Sequence, residues 1–228
     1  MQYKAQAEAI AVFGGSFNPV HIGHVALVER LCALPFIRQV LVVPAMRSPF
    51  KGGVQMLPTE LRWNMLSQAL AGLGKVVLSD IEIKRAPPSY TWDTLAELRT
   101  GNPGARLLLA LGMDAFKEFG GWHRAPELLD LHDLLVVSRA GAGIEAAAGT
   151  APEDLLQWLP HPWGEQLVPG PGQTLRNEQG RPVVTFYDWE LPEVSSTLLL
   201  ASRNVSDVPA RARDLLLRYW MLEEGSGA

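Results

Sequence analysis

Cysteine occurs once in 228 residues, at Cys32. A single thiol builds no disulfide framework, so the fold is held by packing and a reducing compartment is expected. Its setting, VALVERLCALPF, has helical apolar spacing and predicts a buried, inert thiol. An excess of positive charge is missing too: 20 Lys and Arg stand against 24 Asp and Glu, with a formal net charge of -4. That balance does not suit nucleic acid or an anionic membrane as a partner, and any phosphate must be met by a local site. No apolar run reaches the roughly 18 residues needed to cross a bilayer, and the opening MQYKAQAEA lacks the apolar stretch of a secretion signal. A soluble, cytoplasmic protein is expected, and a homo-oligomer is left open.

What the chain does have is apolar residue in quantity, 47% of its length, enough for one sizeable core. AIAVFGG reads as a strand stopped by glycine, and helical spacing follows in VALVERLCALPF until Pro35. The order repeats in QVLVVPA, PTELRWNMLSQAL, KVVLSDIEI and SYTWDTLAELRT, read as strand, helix, strand and helix. ARLLLALG and DLLVVSRAG are apolar almost throughout, the pattern of strands buried on both faces of a parallel sheet. Strands alternating with helices predict an α/β fold, a doubly wound, Rossmann-like open parallel sheet with ligands beyond the carboxyl ends of its strands. Residues 141–182 break the rhythm with Gly, Pro and Ala and read as a surface insertion carrying one short helix at PEDLLQWL. VVTFYDW supplies a last strand, and a helical segment over about 195–222 closes a single domain spanning residues 1–228.

The stretch GGSFNPVHIGH, Gly14 to His24, carries the chemistry. Two glycines end the strand without a Cβ, so a ligand can approach the backbone, and Pro19 pre-sets the turn before a helix expected to begin near Val20 or His21. The unpaired N–H groups and positive dipole end of that helix suit a phosphate. His21 and His24 lie on one face of its first turn, with Gly23 keeping the face open. The stretch lacks the Gly-Lys-Ser/Thr of a P-loop and does not match G-x-G-x-x-G. A third ligand with metal-site spacing is missing, so no metal residue is assigned. Two histidines that merely cap the helix remain an alternative, one that leaves the paired glycines unexplained.

GGSFNPVHIGH resembles the signature of the nucleotidyltransferase superfamily: histidine, any residue, glycine, histidine at the start of the first helix. Class I aminoacyl-tRNA synthetases share it, but their tRNA-binding domain and lysine-rich second signature are not found in this sequence. Over nearly its whole length the chain is similar to bacterial nicotinate-nucleotide adenylyltransferases, with VVPAMRSPFK, ELRWNML, SDIEIKRAPPSYTWDTLAELR, LALGMDAFKEFGGWHR, LLVVSRAG and VSSTLLL in order. The resemblance implies transfer of the adenylyl group of ATP to nicotinate mononucleotide, forming nicotinate adenine dinucleotide and pyrophosphate. It implies Mg²⁺ as cofactor, bound mainly through the ATP phosphates.

The same resemblance distributes residues between the substrates. Gly14, Gly15, Ser16, Phe17, His21, Gly23 and His24 fall to ATP, with His21 and His24 as the catalytic pair; Gly112, Asp114 and Arg139 follow strands and fall to its adenosine side. Asn18, Lys51, Thr91, Trp122 and His123 fall to nicotinate mononucleotide: an aromatic ring stacks on pyridine, a hydroxyl and amides hold its carboxylate, and Lys51 sits in a loop near the phosphates. Helix capping by Asp114, a solvated Arg139 and a Trp92 facing the sheet are the plainer readings of those positions. Ser195, Ser196 and Thr197 match the last motif, but the arginine that the family places next is here Leu200. Arg203, about one helical turn on, is the candidate replacement in the ATP set. The missing charge also admits other readings: a nucleotide-binding sensor or scaffold with weak or lost catalysis, or an adenylyltransferase for another acceptor such as nicotinamide mononucleotide.

Overall fold

A computed structural model describes residues 8–46, 56–85, 87–139 and 155–225. The chain falls into two compact units, each assembled from separate stretches. The described residues of the first come from Met1–Phe13, Phe36–Arg38 and Tyr90–Leu191; those of the second come from Gly14–Pro35, Gln39–Ser89 and Pro192–Ala228.

In the first unit, β1 (Ala9–Gly15, through Phe13), β4 (Arg106–Gly112), β5 (Asp133–Arg139) and β8 (Pro182–Trp189) run parallel in that order. The register sets Val12 beside Leu109, Leu111 beside Val136, and Val136 beside Phe186. Ala9 to Val12, Leu107 to Leu111 and Leu134 to Val137 are all buried, which is why these strands read as unbroken apolar runs. Among the described residues, four α-helices belong here: α4 (Thr91–Gly101), α5 (Met113–Lys117), α6 (Ala125–Leu131) and α7 (Trp163–Gln166). The expected parallel α/β class is what the chain forms.

The insertion departs from expectation. Its residues 141–154 lie outside the described part, and of PEDLLQWL only a 3-10 turn at Leu156–Trp158 is described. Instead of remaining loop, the chain then forms a hairpin of β6 (Val168–Gly170) and β7 (Thr174–Arg176), and β7 pairs antiparallel with β8. The turn between them needs left-handed backbone at Gly172 and Gln173, with φ of 69° and 54°, so Pro171 and Gly172 are turn residues rather than signs of irregular chain.

The second unit holds α1 (Ile22–Ala33), the Gln39–Pro44 part of β2 (Ile37–Pro44), α2 (Thr59–Ala69) and β3 (Val76–Leu78), with Val42 of β2 beside Leu78 in parallel. KVVLSDIEI is not one strand: after Leu78 the chain turns at Ser79 and Asp80 into α3 (Ile81–Lys84), and an Asp80–Lys84 ion pair of 2.9 Å spans its single turn. Ser and Asp favour helix starts over ladders, and three alternating residues were too few to fix a period. The unit ends in α8 (Ser196–Ser202) and α9 (Ala210–Gly225), with α9 packed on α2. Leu27, Val28 and Leu31 form the buried face of α1, and Lys75 Nζ donates to the carbonyls of Cys32 and Leu34 at 2.8 and 3.4 Å, closing its carboxyl end. Cys32 itself is half-buried, and burial raises its thiol pKa.

Candidate active site

The loop after β1 is shaped from inside by a residue that the motifs did not single out. Arg62 of α2 is 1% exposed, and its Nη1 donates to the carbonyls of Ser16 and Ala45 at 2.8 and 2.9 Å. Its Nε donates to the Leu57 carbonyl at 3.2 Å, and Nη2 reaches Thr59 Oγ1 at 3.2 Å. One guanidinium therefore saturates carbonyls from three irregular segments that have no ladder of their own. Burial lowers its pKa, yet Arg stays charged at any working pH. In the sequence Arg62 lies inside the motif ELRWNML without an assigned role, on the same face of α2 as the buried Met65 and Leu66. Beside it, Asn18 is buried and accepts the Leu57 N–H on Oδ1 at 2.8 Å. Phe17, 1% exposed, takes a left-handed φ of 43°, which folds its ring under Gly15, where a Cβ would meet it at 3.1 Å.

The loop delivers the chain to His21, the N-cap of α1. His21 Nδ1 accepts the His24 N–H at 3.3 Å, and His24 Nδ1 accepts the His21 N–H at 3.2 Å. This reciprocal cap is the capping box with imidazole in place of hydroxyl and carboxylate. The rings stack with centroids 3.6 Å apart at 22°. With Nδ1 of each ring committed as an acceptor, the proton of a neutral ring sits on Nε2, so Nε2–H is the donor edge of both. The capping alternative is thus present in the molecule, and it leaves an N–H donor on the outer nitrogen of each neutral ring. Gly23 does more than leave a face open: a Cβ there would lie 2.9 Å from the Pro192 carbonyl and 3.1 Å from His21 Nδ1.

The last motif meets the first within this unit. Ser195 caps α8, accepting the Leu198 N–H at 3.4 Å, and Ser196 Oγ donates to the Pro19 carbonyl at 2.9 Å. Thr197, Leu200, Arg203 and Asn18 line a cavity of about 330 Å³. Arg203 ends α8 in a left-handed conformation, φ 51°, paired with Glu224 and lying 5.6 Å above the Trp220 ring. Its guanidinium is held against α9. Lys51 falls outside the described residues.

The remaining candidates belong to the first unit. Gly112 ends β4 and is the N-cap of α5, while Arg139 ends the neighbouring β5. Asp114 is exposed in the first turn of α5 and is not its cap, which corrects the plainer reading of that residue. The segments around Thr91 and Trp122 come together: Tyr90 packs on His123 with ring centroids 4.5 Å apart, and the Arg124 guanidinium lies 3.9 Å over the Trp92 ring. Thr91 opens α4, Trp122 is half-buried against Phe119, and His123 is exposed. Arg124 itself is left-handed, φ 56°, and pairs with Glu127 at 3.0 Å, so the turn carrying Trp122 and His123 is sharply set. Trp92 works as a platform for Arg124.

No group of three His, Cys, Asp or Glu able to hold a metal occurs among the described residues. Nor, among them, is any helix long and apolar enough to cross a membrane.

Comparison with known proteins bears on both units. The cytidylyltransferase-like family model matches residues 12–201. A probable nicotinate-nucleotide adenylyltransferase from Trichlorobacter lovleyi is 37% identical over 171 residues, covering 75% of this chain and 76% of its own. One from Maridesulfovibrio salexigens is 29% identical over 92% of this chain and 99% of its own. Among solved structures, the Plasmodium falciparum nicotinic acid mononucleotide adenylyltransferase complexed with NaAD aligns with a TM-score of 0.67 over 93% of this chain and 96% of that one. At 16% identity, that likeness speaks for the fold alone. The family model spans most of the sequence and the Trichlorobacter lovleyi relative is matched over three quarters of either chain, so the chain belongs to the cytidylyltransferase-like family and, within it, to the nicotinate-nucleotide adenylyltransferases.

Proposed function

We propose that the protein transfers the adenylyl group of ATP to nicotinate mononucleotide, releasing pyrophosphate and forming nicotinate adenine dinucleotide for NAD biosynthesis in the cytoplasm. The nucleophile is the phosphate of the mononucleotide, whose second pKa is about 6, so it arrives ionised and needs no general base. It attacks the α-phosphorus of ATP, the bond to the bridging oxygen breaks, and pyrophosphate leaves with the electron pair. What the protein contributes is alignment and compensation of the charge that moves onto that oxygen.

The observation that carries this reading is the reciprocal cap of His21 and His24, which makes Nε2–H the donor of each ring at the head of α1. These two donors, with the amides after Gly14 and Gly15 and the positive end of the helix, bind the phosphates of ATP. Ser16, Phe17 and Gly23 set that loop, and Ser195, Ser196 and Thr197 add hydroxyls and amides from the start of α8. Gly112, Asp114 and Arg139 receive the adenosine. Asn18, Lys51, Thr91, Trp122 and His123 receive nicotinate mononucleotide, with a ring for the pyridine and neutral donors for its carboxylate. Mg²⁺, held mainly by the phosphate oxygens of ATP and by water, would supply further charge neutralisation beside these donors.

Pyrophosphate release from Mg-ATP tests the reading, with nicotinate mononucleotide, nicotinamide mononucleotide and phosphopantetheine compared as acceptors. Selective turnover with the nicotinate acceptor, lost in a folded His21→Ala protein, is expected. Leu200 in place of the family arginine favours a second reading, a nucleotide sensor without efficient chemistry. ATP binding with no pyrophosphate released for any acceptor would establish that reading instead.

A further inference from the structure

In the first unit, the chain passes from the 3-10 turn at Phe119–Gly121 to α6 through Trp122, His123 and Arg124. Arg124 is the N-cap of α6 in a left-handed conformation, φ 56° and ψ 39°, and its side chain makes no capping hydrogen bond. An N-cap is ordinarily an extended Ser, Thr, Asp or Asn whose oxygen accepts an orphan N–H. Arginine has no acceptor to offer, and its Cβ disfavours a left-handed backbone that glycine adopts freely. Neither capping nor backbone preference accounts for an arginine at this position, so the reason lies in what its guanidinium touches.

The guanidinium has two contacts of different kinds. Nε donates to Glu127 Oε1 at 3.0 Å, a partly exposed pair within the start of α6 that contributes little to stability. The group also lies 3.9 Å over the ring of Trp92, in the first turn of α4, and so joins the turn to a separate element. A second contact runs alongside: Tyr90, the N-cap of α4, packs on His123 with ring centroids 4.5 Å apart. Residues 90 and 92 thus hold residues 123 and 124, with Thr91 between the two contacts and Trp122 next in the chain. Thr91, Trp122 and His123 are the residues of this unit assigned above to nicotinate mononucleotide, and the paired contacts set their separation.

We propose that Arg124 is a positioning residue for the acceptor: stacked on Trp92, it holds the turn carrying Trp122 and His123 at the head of α4 and so fixes the spacing at which a pyridine ring is received. The proposal rests on the assignment of Thr91, Trp122 and His123 to that substrate. Because Glu127 pairs with the guanidinium, the contribution of Arg124 is geometric rather than a free charge that attracts the acceptor. Stacking and carboxylate recognition both depend on distance and angle, so losing the contact weakens acceptor binding. The histidine donors for the ATP phosphates lie in the second unit and do not depend on it.

The test is steady-state pyrophosphate release by the full chain with Mg-ATP and nicotinate mononucleotide, beside urea unfolding. Arg124→Gly removes the guanidinium while relieving the left-handed backbone, so its unfolding midpoint should stay close to wild type. Its KM for nicotinate mononucleotide should rise about tenfold, with KM for ATP and kcat within about twofold of wild type. Arg124→Lys keeps a cation for the ring and should limit that rise to about threefold. Trp92→Leu should reproduce the Arg124→Gly effect, Trp92→Phe should recover part of it, and the double variant Arg124→Gly, Trp92→Leu should be no worse than the weaker-binding single one. An acceptor KM unchanged in Arg124→Gly, an equal rise in both KM values, or additive losses in the double variant would each overturn the proposal alone. No turnover of nicotinate mononucleotide by the wild-type protein would overturn the adenylyl-transfer reading and this proposal with it.

Discussion

Replacing Arg62 with methionine keeps most of the side-chain volume and removes every donor from a position that is 1% exposed. The carbonyls of Ser16 and Ala45 lose their 2.8 and 2.9 Å bonds, and the Leu57 carbonyl loses one of 3.2 Å. Each charged hydrogen bond contributes about 1.5–3 kcal/mol net. The sum overstates the loss, because methionine also escapes the desolvation that lowers the Arg62 pKa. Balancing the two leaves an expected destabilisation of about 3–5 kcal/mol, the range for breaking a buried charged network. Arg62→Lys retains the charge but reaches fewer of these diverging carbonyls, for a loss of about 2 kcal/mol. Urea unfolding followed by tryptophan fluorescence measures both. The loop holding Ser16 leads directly to His21, so the methionine variant should also lose about 10–100-fold in kcat/KM at a temperature where it is folded. Unfolding midpoints equal to wild type would refute the energetic reasoning; a destabilised but fully active variant would refute the loop-setting role.

Three further outcomes are expected. Gly23→Ala places a Cβ 2.9 Å from the Pro192 carbonyl and 3.1 Å from His21 Nδ1, so the rings must move; a drop of about 100-fold in pyrophosphate release with a modest stability loss is expected, and normal kinetics would show that the rings need no fixed seat. His132 has a folded-state pKa of about 4 against 6.5 for a free imidazole, so its contribution is fully present above pH 6.5 and is lost as pH falls towards 4, by up to about 3 kcal/mol; denaturation at pH 7 and pH 4.5 should show a slope that His132→Leu flattens, and an unaltered slope would sink the assignment. Arg203→Ala should raise KM for ATP about fivefold, whereas Glu224→Gln, which releases the guanidinium from its partner, should leave KM unchanged or lower it; no change in either variant would confine Arg203 to anchoring α9.

The opening motif was legible because its residues are rare in combination: paired glycines, a proline and two histidines on one turn admit few conformations. The parallel sheet was legible for the same kind of reason, since apolar runs such as LLLAL, Leu107 to Leu111, are buried on both faces and have no other comfortable place. Arg62 was hidden because one arginine on a helix normally faces water; only the convergence of Ser16, Ala45 and Leu57 carbonyls, distant in sequence, makes its burial favourable. The β6–β7 hairpin was hidden by its own turn residues, whose Pro and Gly resemble those of irregular chain until the flanking strands pair. The reciprocal cap lay in plain view as a spacing of three, but the choice of Nδ1 over Nε2 depends on backbone geometry that no spacing encodes.

The bond from Ser196 Oγ to the Pro19 carbonyl links residues 177 positions apart. A contact of that span closes a very large loop, whose entropy must be repaid by packing elsewhere before the bond is worth making. The loop from Gly14 to His21 is therefore written early in the chain, and its brace from α8 is expected to form late in folding. A partly made chain carries the histidines without their brace from α8, so under the proposed function affinity for ATP should appear only with the completed fold.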